Sequence, residues 1–155
     1  MSDSACPVEI LLVEDNPDDI ELTLRALQTK NITNRIHVVR DGEEALEYVF
    51  CEKRYAGRDI HHPPKVILLD LKLPKVDGLT VLRHIKGDAR TKAIPVVILT
   101  SSEEERDVIN TYNCGANSYL VKPIEFEQFI NAISSLELYW LILNTPPPEG
   151  AFNGQ

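Results

Sequence analysis

The sequence predicts an α/β fold, a doubly wound five-stranded parallel sheet with helices packed on both faces. Three observations carry this. Short apolar runs alternate with longer amphipathic stretches along the whole chain of 155 residues. Two of the runs, V-I-L-L at 66–69 and P-V-V-I-L at 95–99, are apolar without a break, as strands buried on both faces of a parallel sheet are. Strand and helix patterns also succeed each other in strict order, which is how repeated βα units read.

The elements follow in turn. The first strand is Val8 to Val13. Asn16-Pro17-Asp18-Asp19 then announces a helix: a capping side chain, proline at the first helical position, and acids facing the positive helix end. Ile20, Leu24 and Leu27 form its apolar stripe. The second strand is Arg35 to Val39, and the second helix starts at Asp41, with Glu44 completing a capping box. That helix buries Ala45, Leu46, Val49 and Phe50. A long polar link, Cys51 to Pro64, leads to the third strand, Val66 to Leu69. The third helix follows Gly78 and carries Leu79, Leu82 and Ile85 inward. The fourth strand is Pro95 to Leu99, and a fourth helix opens with Ser101-Ser102-Glu103-Glu104, with Val108, Ile109 and Tyr112 on its inner face. Ser118 to Val121 is the fifth strand. The fifth helix runs from about Glu125 to Trp140, with Phe126, Phe129, Ile130, Ile133 and Leu136 inward. Beyond it, Pro146 to Pro148 forbid helix.

Composition narrows the function. There are 24 acidic residues against 16 basic, and the cations are scattered, so the surface repels nucleic acid and anionic lipid. No apolar run reaches the roughly 18 residues a membrane helix needs. Met1 to Pro7 lacks the basic start and apolar stretch of a signal peptide, so a cytoplasmic location is expected. Cys6, Cys51 and Cys114 form no C-x-x-C pair, which points to reduced thiols rather than a zinc site or a disulfide framework. His61 and His62 are adjacent and lack ligand spacing.

In a parallel α/β sheet, ligands bind beyond the C-terminal strand ends, where the strand order reverses. The residues at or just past those ends are Glu14 and Asp15, Asp70, Thr100, and Lys122 followed by Pro123. Three carboxylates brought together need a counter-charge. Their hard oxygens suit Mg²⁺, which keeps several waters. A carboxylate beside such an ion can attack phosphorus and form an aspartyl-phosphate. An ammonium and a hydroxyl are the partners that phosphoryl oxygens require.

Four strings carry a resemblance: I-L-L-V-E-D-N-P, L-L-D-L-K-L-P-K-V-D-G, P-V-V-I-L-T-S-S and G-A-N-S-Y-L-V-K-P. In this order and spacing, over residues 8 to 138, the sequence resembles the receiver domain of two-component response regulators. The resemblance implies a flavodoxin-like fold with strand order 2-1-3-4-5. It implies a receiver domain over 7–140 and a C-terminal tail, 141–155, with no output domain. It makes Asp70 the phosphoacceptor, Asp15 a direct Mg²⁺ ligand with Glu14 beside it, and the backbone carbonyl of Lys72 a further ligand. Thr100 and Lys122 match the phosphate-sensing pair, and Tyr119 the switch aromatic. The Lys122–Pro123 peptide bond is expected to be cis. Lys72 and Ser102 stand where the family tunes phosphate lifetime. A lysine at 72 is expected to hinder hydrolytic water or to compete for phosphoryl oxygens.

The implied partner is a sensor histidine kinase. The long link and the W-L ending after the fifth helix resemble stand-alone regulators paired with bacterial phytochromes. Phosphorylation is expected to alter the face made by the fourth helix, fifth strand and fifth helix. An enzyme with an aspartyl nucleophile is the alternative, but such enzymes use a second Asp two residues on, where this chain has Lys72. The apolar Tyr139-Trp140-Leu141-Ile142-Leu143 segment needs cover and is expected to support a homodimer.

Overall fold

The computed structural model describes residues 10–28, 35–102, 105 and 115–135. Its elements are β1 (Ile10–Val13), α1 (Pro17–Gln28), β2 (Ile36–Val39), α2 (Gly42–Phe50), a 3₁₀ turn (Lys53–Tyr55), β3 (Val66–Asp70), α3 (Gly78–Gly87), β4 (Val96–Thr100), β5 (Ser118–Val121) and α4 (Phe126–Ser135). The helix α4 is the fifth predicted helix. The predicted fourth helix, apart from Ser101, Ser102 and Glu105, falls on residues outside those described. So do Leu136 to Trp140, with the apolar 139–143 segment and the tail.

The strands form one parallel sheet in the order β2-β1-β3-β4-β5. The order reverses between β1 and β3, so the crevice beyond their C-terminal ends is where a ligand fits. Strand alternation sends Ile10 and Leu12 to one face and Leu11 and Val13 to the other. The first set packs with Leu27 of α1 and with Phe129 and Ile133 of α4. The second packs with Val49 of α2 and with Leu82 and Ile85 of α3. All of β1, β3 and β4 is buried, as the unbroken apolar runs require, while the edge strand β2 is mostly half-buried.

Local chemistry explains the helix starts. The Asn16 Oδ1 accepts from the backbone N–H of Asp18 at 2.8 Å and of Asp19 at 3.1 Å. The Asp41 carboxylate accepts from the Glu44 N–H at 2.7 Å, while Glu44 Oε1 takes the Arg40 N–H at 3.3 Å. Asp77 caps α3 through the Thr80 N–H at 3.0 Å. Each side chain satisfies donors that the first helical turn leaves without partners.

The link after α2 is better anchored than its polar composition indicates. Cys51 turns the chain in the left-handed region (φ 57°), ending α2. Tyr55 then reaches back to the sheet edge. Its hydroxyl donates to Glu44 Oε2 at 2.6 Å and lies 3.0 Å from His37 Nε2. The Arg58 guanidinium sits 3.7 Å over the Tyr48 ring, which itself stacks on His37. Composition recorded the polarity of this segment and missed that Tyr55 and Arg58 both close on the buried Tyr48 ring.

Candidate functional site

Register brings the strand-end residues together. Val13 pairs with Leu69, so Glu14 and Asp70 emerge side by side at the reversal point. Asp70 pairs with Leu99 and Thr100 with Val121, so Thr100 and Lys122 complete the row. The Lys122 Nζ donates to Asp19 Oδ2 at 3.1 Å, to Glu14 Oε1 at 3.2 Å and to Asp70 Oδ2 at 3.3 Å. An ammonium has three donors, so these three acceptors saturate it.

The electrostatics follow from burial. Glu14 is wholly buried and Asp70 is 5% exposed, while Asp15 faces solvent. Burial first, and then the charge of Asp70, push the Glu14 carboxyl up from its ordinary 4.5 to about 7, although Lys122 and the Asn16 N–H pull it down. Burial alone would lower the Lys122 pKa. The charges of Asp70 and Glu14 and the bonds to Asp19 and Glu14 more than reverse this, and the ammonium is held above its ordinary value. One cation therefore faces more negative charge than it neutralises.

That imbalance fits a further cation. Carboxylate oxygens of Glu14, Asp15 and Asp70 lie within 4.8 Å of one another. All are hard donors, and the exposed side of the set is open to water, as suits a small hard divalent ion. Among the described residues no cysteine or histidine joins this set, and its all-oxygen character suits a hard ion.

The remaining predicted residues are placed as follows. Thr100 is wholly buried and its hydroxyl donates to the Leu120 carbonyl at 3.4 Å. Tyr119 is half-buried against the core between the sheet and α2–α3. It pairs with Ile98, two residues before Thr100, so by alternation Tyr119 and Thr100 share one face of the sheet. The Lys122–Pro123 bond is cis. The Lys72 side chain is exposed and pairs with Glu105 Oε2 at 3.6 Å. Glu105 in turn accepts from the Ser101 N–H at 2.8 Å, and Ser102 Oγ accepts from the Glu105 N–H at 3.1 Å.

Asp19 is the site residue that sequence reasoning missed. Its place in the first turn of α1 explained it as a dipole partner. Its offset of four from Asp15 was the one signal of a second role. A separate cleft of about 450 Å³ lies between α2 and α3, lined by Phe50, Arg83, His84 and Arg90 among others, and none of the acidic set borders it.

Comparison with known proteins identifies the family. The family model described as "Response regulator receiver domain" matches residues 10–134. The bacteriophytochrome response regulator RtBRR is 49% identical, with a TM-score of 0.82 over 95% of this chain and 88% of its own. The response regulator Rcp1 of Synechocystis sp. is 38% identical over 95% of this chain and 99% of its own length. Its Mn²⁺-bound form superposes with a TM-score of 0.69 over 92% of this chain and 99% of that one. The phosphorylated cyanobacterial phytochrome response regulator RcpA is 39% identical, with a TM-score of 0.69 over 91% of this chain and 98% of its own. With motifs, strand order and relatives in agreement along most of its length, the chain belongs to the response regulator receiver domain family and works by phosphorylation in two-component signalling.

Proposed function

We propose that Asp70 is the phosphoacceptor and that a sensor histidine kinase of the phytochrome type supplies the phosphoryl group. The observation that carries this reading is the meeting of Asp70, Glu14 and Lys122 at one edge of the sheet, with Lys122 Nζ 3.3 Å from Asp70. An Asp70 oxygen attacks phosphorus, the P–N bond to the kinase histidine breaks, and the leaving imidazole nitrogen keeps the electron pair and takes up a proton. The carboxylates of Glu14, Asp15 and Asp70, with the Lys72 carbonyl, are the residues to hold Mg²⁺. Bound there, the ion neutralises charge on the phosphoryl oxygens. Lys122 pairs with one phosphoryl oxygen and Thr100 donates to another.

Binding phosphate requires the Thr100 hydroxyl to leave the Leu120 carbonyl, a long bond that is cheap to give up. Tyr119 on the same face follows into the freed space. The surface built from the predicted fourth helix, β5 and α4 then changes its partners. The domain catalyses its own phosphorylation and dephosphorylation and turns over no outside substrate. Self-association through the apolar 139–143 segment belongs to the same proposal, and sedimentation with and without phosphorylation tests it.

Labelling by radioactive acetyl phosphate with Mg²⁺, absent in Asp70→Asn, tests the acceptor. Phosphotransfer from purified histidine kinases then identifies the donor. Equal labelling of wild type and Asp70→Asn overturns the assignment.

A further inference from the structure

We infer that Asp19 is a positioning residue for phosphoryl transfer: it occupies the Lys122 ammonium in the resting state and must give it up before a phosphoryl oxygen can bind there. The inference rests on the proposed role of Asp70 and concerns a residue outside the assigned set.

The argument begins with donor counting. The three N–H groups of Lys122 meet three carboxylates, at 3.1 Å (Asp19), 3.2 Å (Glu14) and 3.3 Å (Asp70). None is left for an incoming oxygen, so one contact must break. The three contacts differ in what replaces them. The Glu14 and Asp70 side chains are 1% and 7% exposed, so water cannot take the place of Lys122 at either. The Asp19 side chain is 31% exposed, so water can take over from Lys122 at little cost. Asp19 is therefore the partner that yields.

Nothing else requires its carboxylate to point inward. The Asn16 side chain already caps the α1 backbone, including the Asp19 N–H. The acidic first turn of α1 also includes Asp18, which is exposed and has no contact with Lys122. Asp18 thus has the same charge and helix turn as Asp19, without the 3.1 Å contact.

The reacting step is balanced without a proton. With acetyl phosphate, an Asp70 oxygen forms the new P–O bond while the bond from phosphorus to the acetyl oxygen breaks, and acetate leaves with the electron pair. Lys122 moves no proton in this step. It turns one N–H from Asp19 Oδ2 to a phosphoryl oxygen.

The test compares labelling rates at subsaturating acetyl phosphate and saturating Mg²⁺ for wild type, Asp19→Asn, Asp18→Asn and Asp19→Glu. Added salt of about 0.5 M screens charges that are not in contact. Asp19→Asn weakens the competing contact, and a partly exposed ion pair of this kind corresponds to a gain of about three- to fivefold in rate. Asp18→Asn is expected to match wild type at this salt, and Asp19→Glu to return the rate toward wild type by restoring the charge. Thermal midpoints measured alongside separate rate from folding, since a purely structural role moves the midpoint without raising the rate. If wild type labels on Asp70 and Asp19→Asn is no faster than Asp18→Asn, this inference is overturned and the acceptor assignment stands. If wild type does not label on Asp70, both fall.

Discussion

The Glu14 carboxyl gives a quantitative test of the acidic set in the absence of metal. Its pKa is raised from 4.5 to about 7, a difference of about 2.5, or about 3 kcal/mol at 1.36 kcal/mol per pKa unit. Because the folded value lies above the unfolded one, the native state holds the extra proton between those limits. Stability in EDTA is therefore expected to fall as pH rises from 4.5 through 7, with the full cost present above that window. Burial is the larger cause and the charge of Asp70 the next. Asp70→Asn keeps the side-chain volume and removes that charge, so the fall in stability between pH 4.5 and 7 should be shallower in the variant. Mg²⁺ at about 100 times its dissociation constant should add about 2.7 kcal/mol to wild type and much less to the variant, which lacks one ligand charge. Urea unfolding at pH 5 to 8, with EDTA or Mg²⁺, measures all of these. The reasoning is refuted if Asp70→Asn loses stability as steeply as wild type between pH 4.5 and 7 in EDTA, or if Mg²⁺ stabilises both equally.

Three further outcomes are expected. A Cβ added at Gly42 would stand 1.8 Å from the Val76 carbonyl oxygen, so Gly42→Ala should cost about 1–3 kcal/mol in urea unfolding as the loop after Asp70 is displaced. Thr100→Val keeps the buried shape and removes only a 3.4 Å hydrogen bond, so it should change stability by less than about 1 kcal/mol while abolishing the phosphorylation-dependent shift of the Tyr119 ring signals in NMR. Tyr55→Phe removes the hydroxyl between Glu44 and His37, and should cost about 1–2 kcal/mol and speed tryptic cleavage at Arg54 and Arg58.

Much of the fold was legible because its signals are local. Asn16 and Asp41 mark helix starts through bonds to residues two or three positions away, and Pro17 does so through its fixed φ. The unbroken runs in β3 and β4 read as doubly covered strands because both faces of the sheet carry helices. Boundaries moved slightly: β3 and β4 each extend one residue further, to Asp70 and Thr100, placing those side chains on the last rung of the sheet. The inner residues Tyr48 and Val81 were overlooked, since the stripe can be drawn through their neighbours just as well. The Cys51 to Pro64 link was read from its polarity, and its anchoring through Tyr55 and Arg58 depends on partners in α2 and β2 that no local pattern encodes.

The sequence by itself determined which residues end the strands and in what order, because hydrophobic periodicity and capping act within a few positions of the chain. Only the tertiary structure decided how those ends share charge. The bond from Lys122 to Asp19 spans 103 positions, and that from Lys122 to Glu14 spans 108. Such distances close only when parallel register sets neighbouring strand ends side by side. The raised pKa of Glu14 has the same origin: burial and an adjacent carboxylate are properties of the assembled site, and neither exists in the isolated segment.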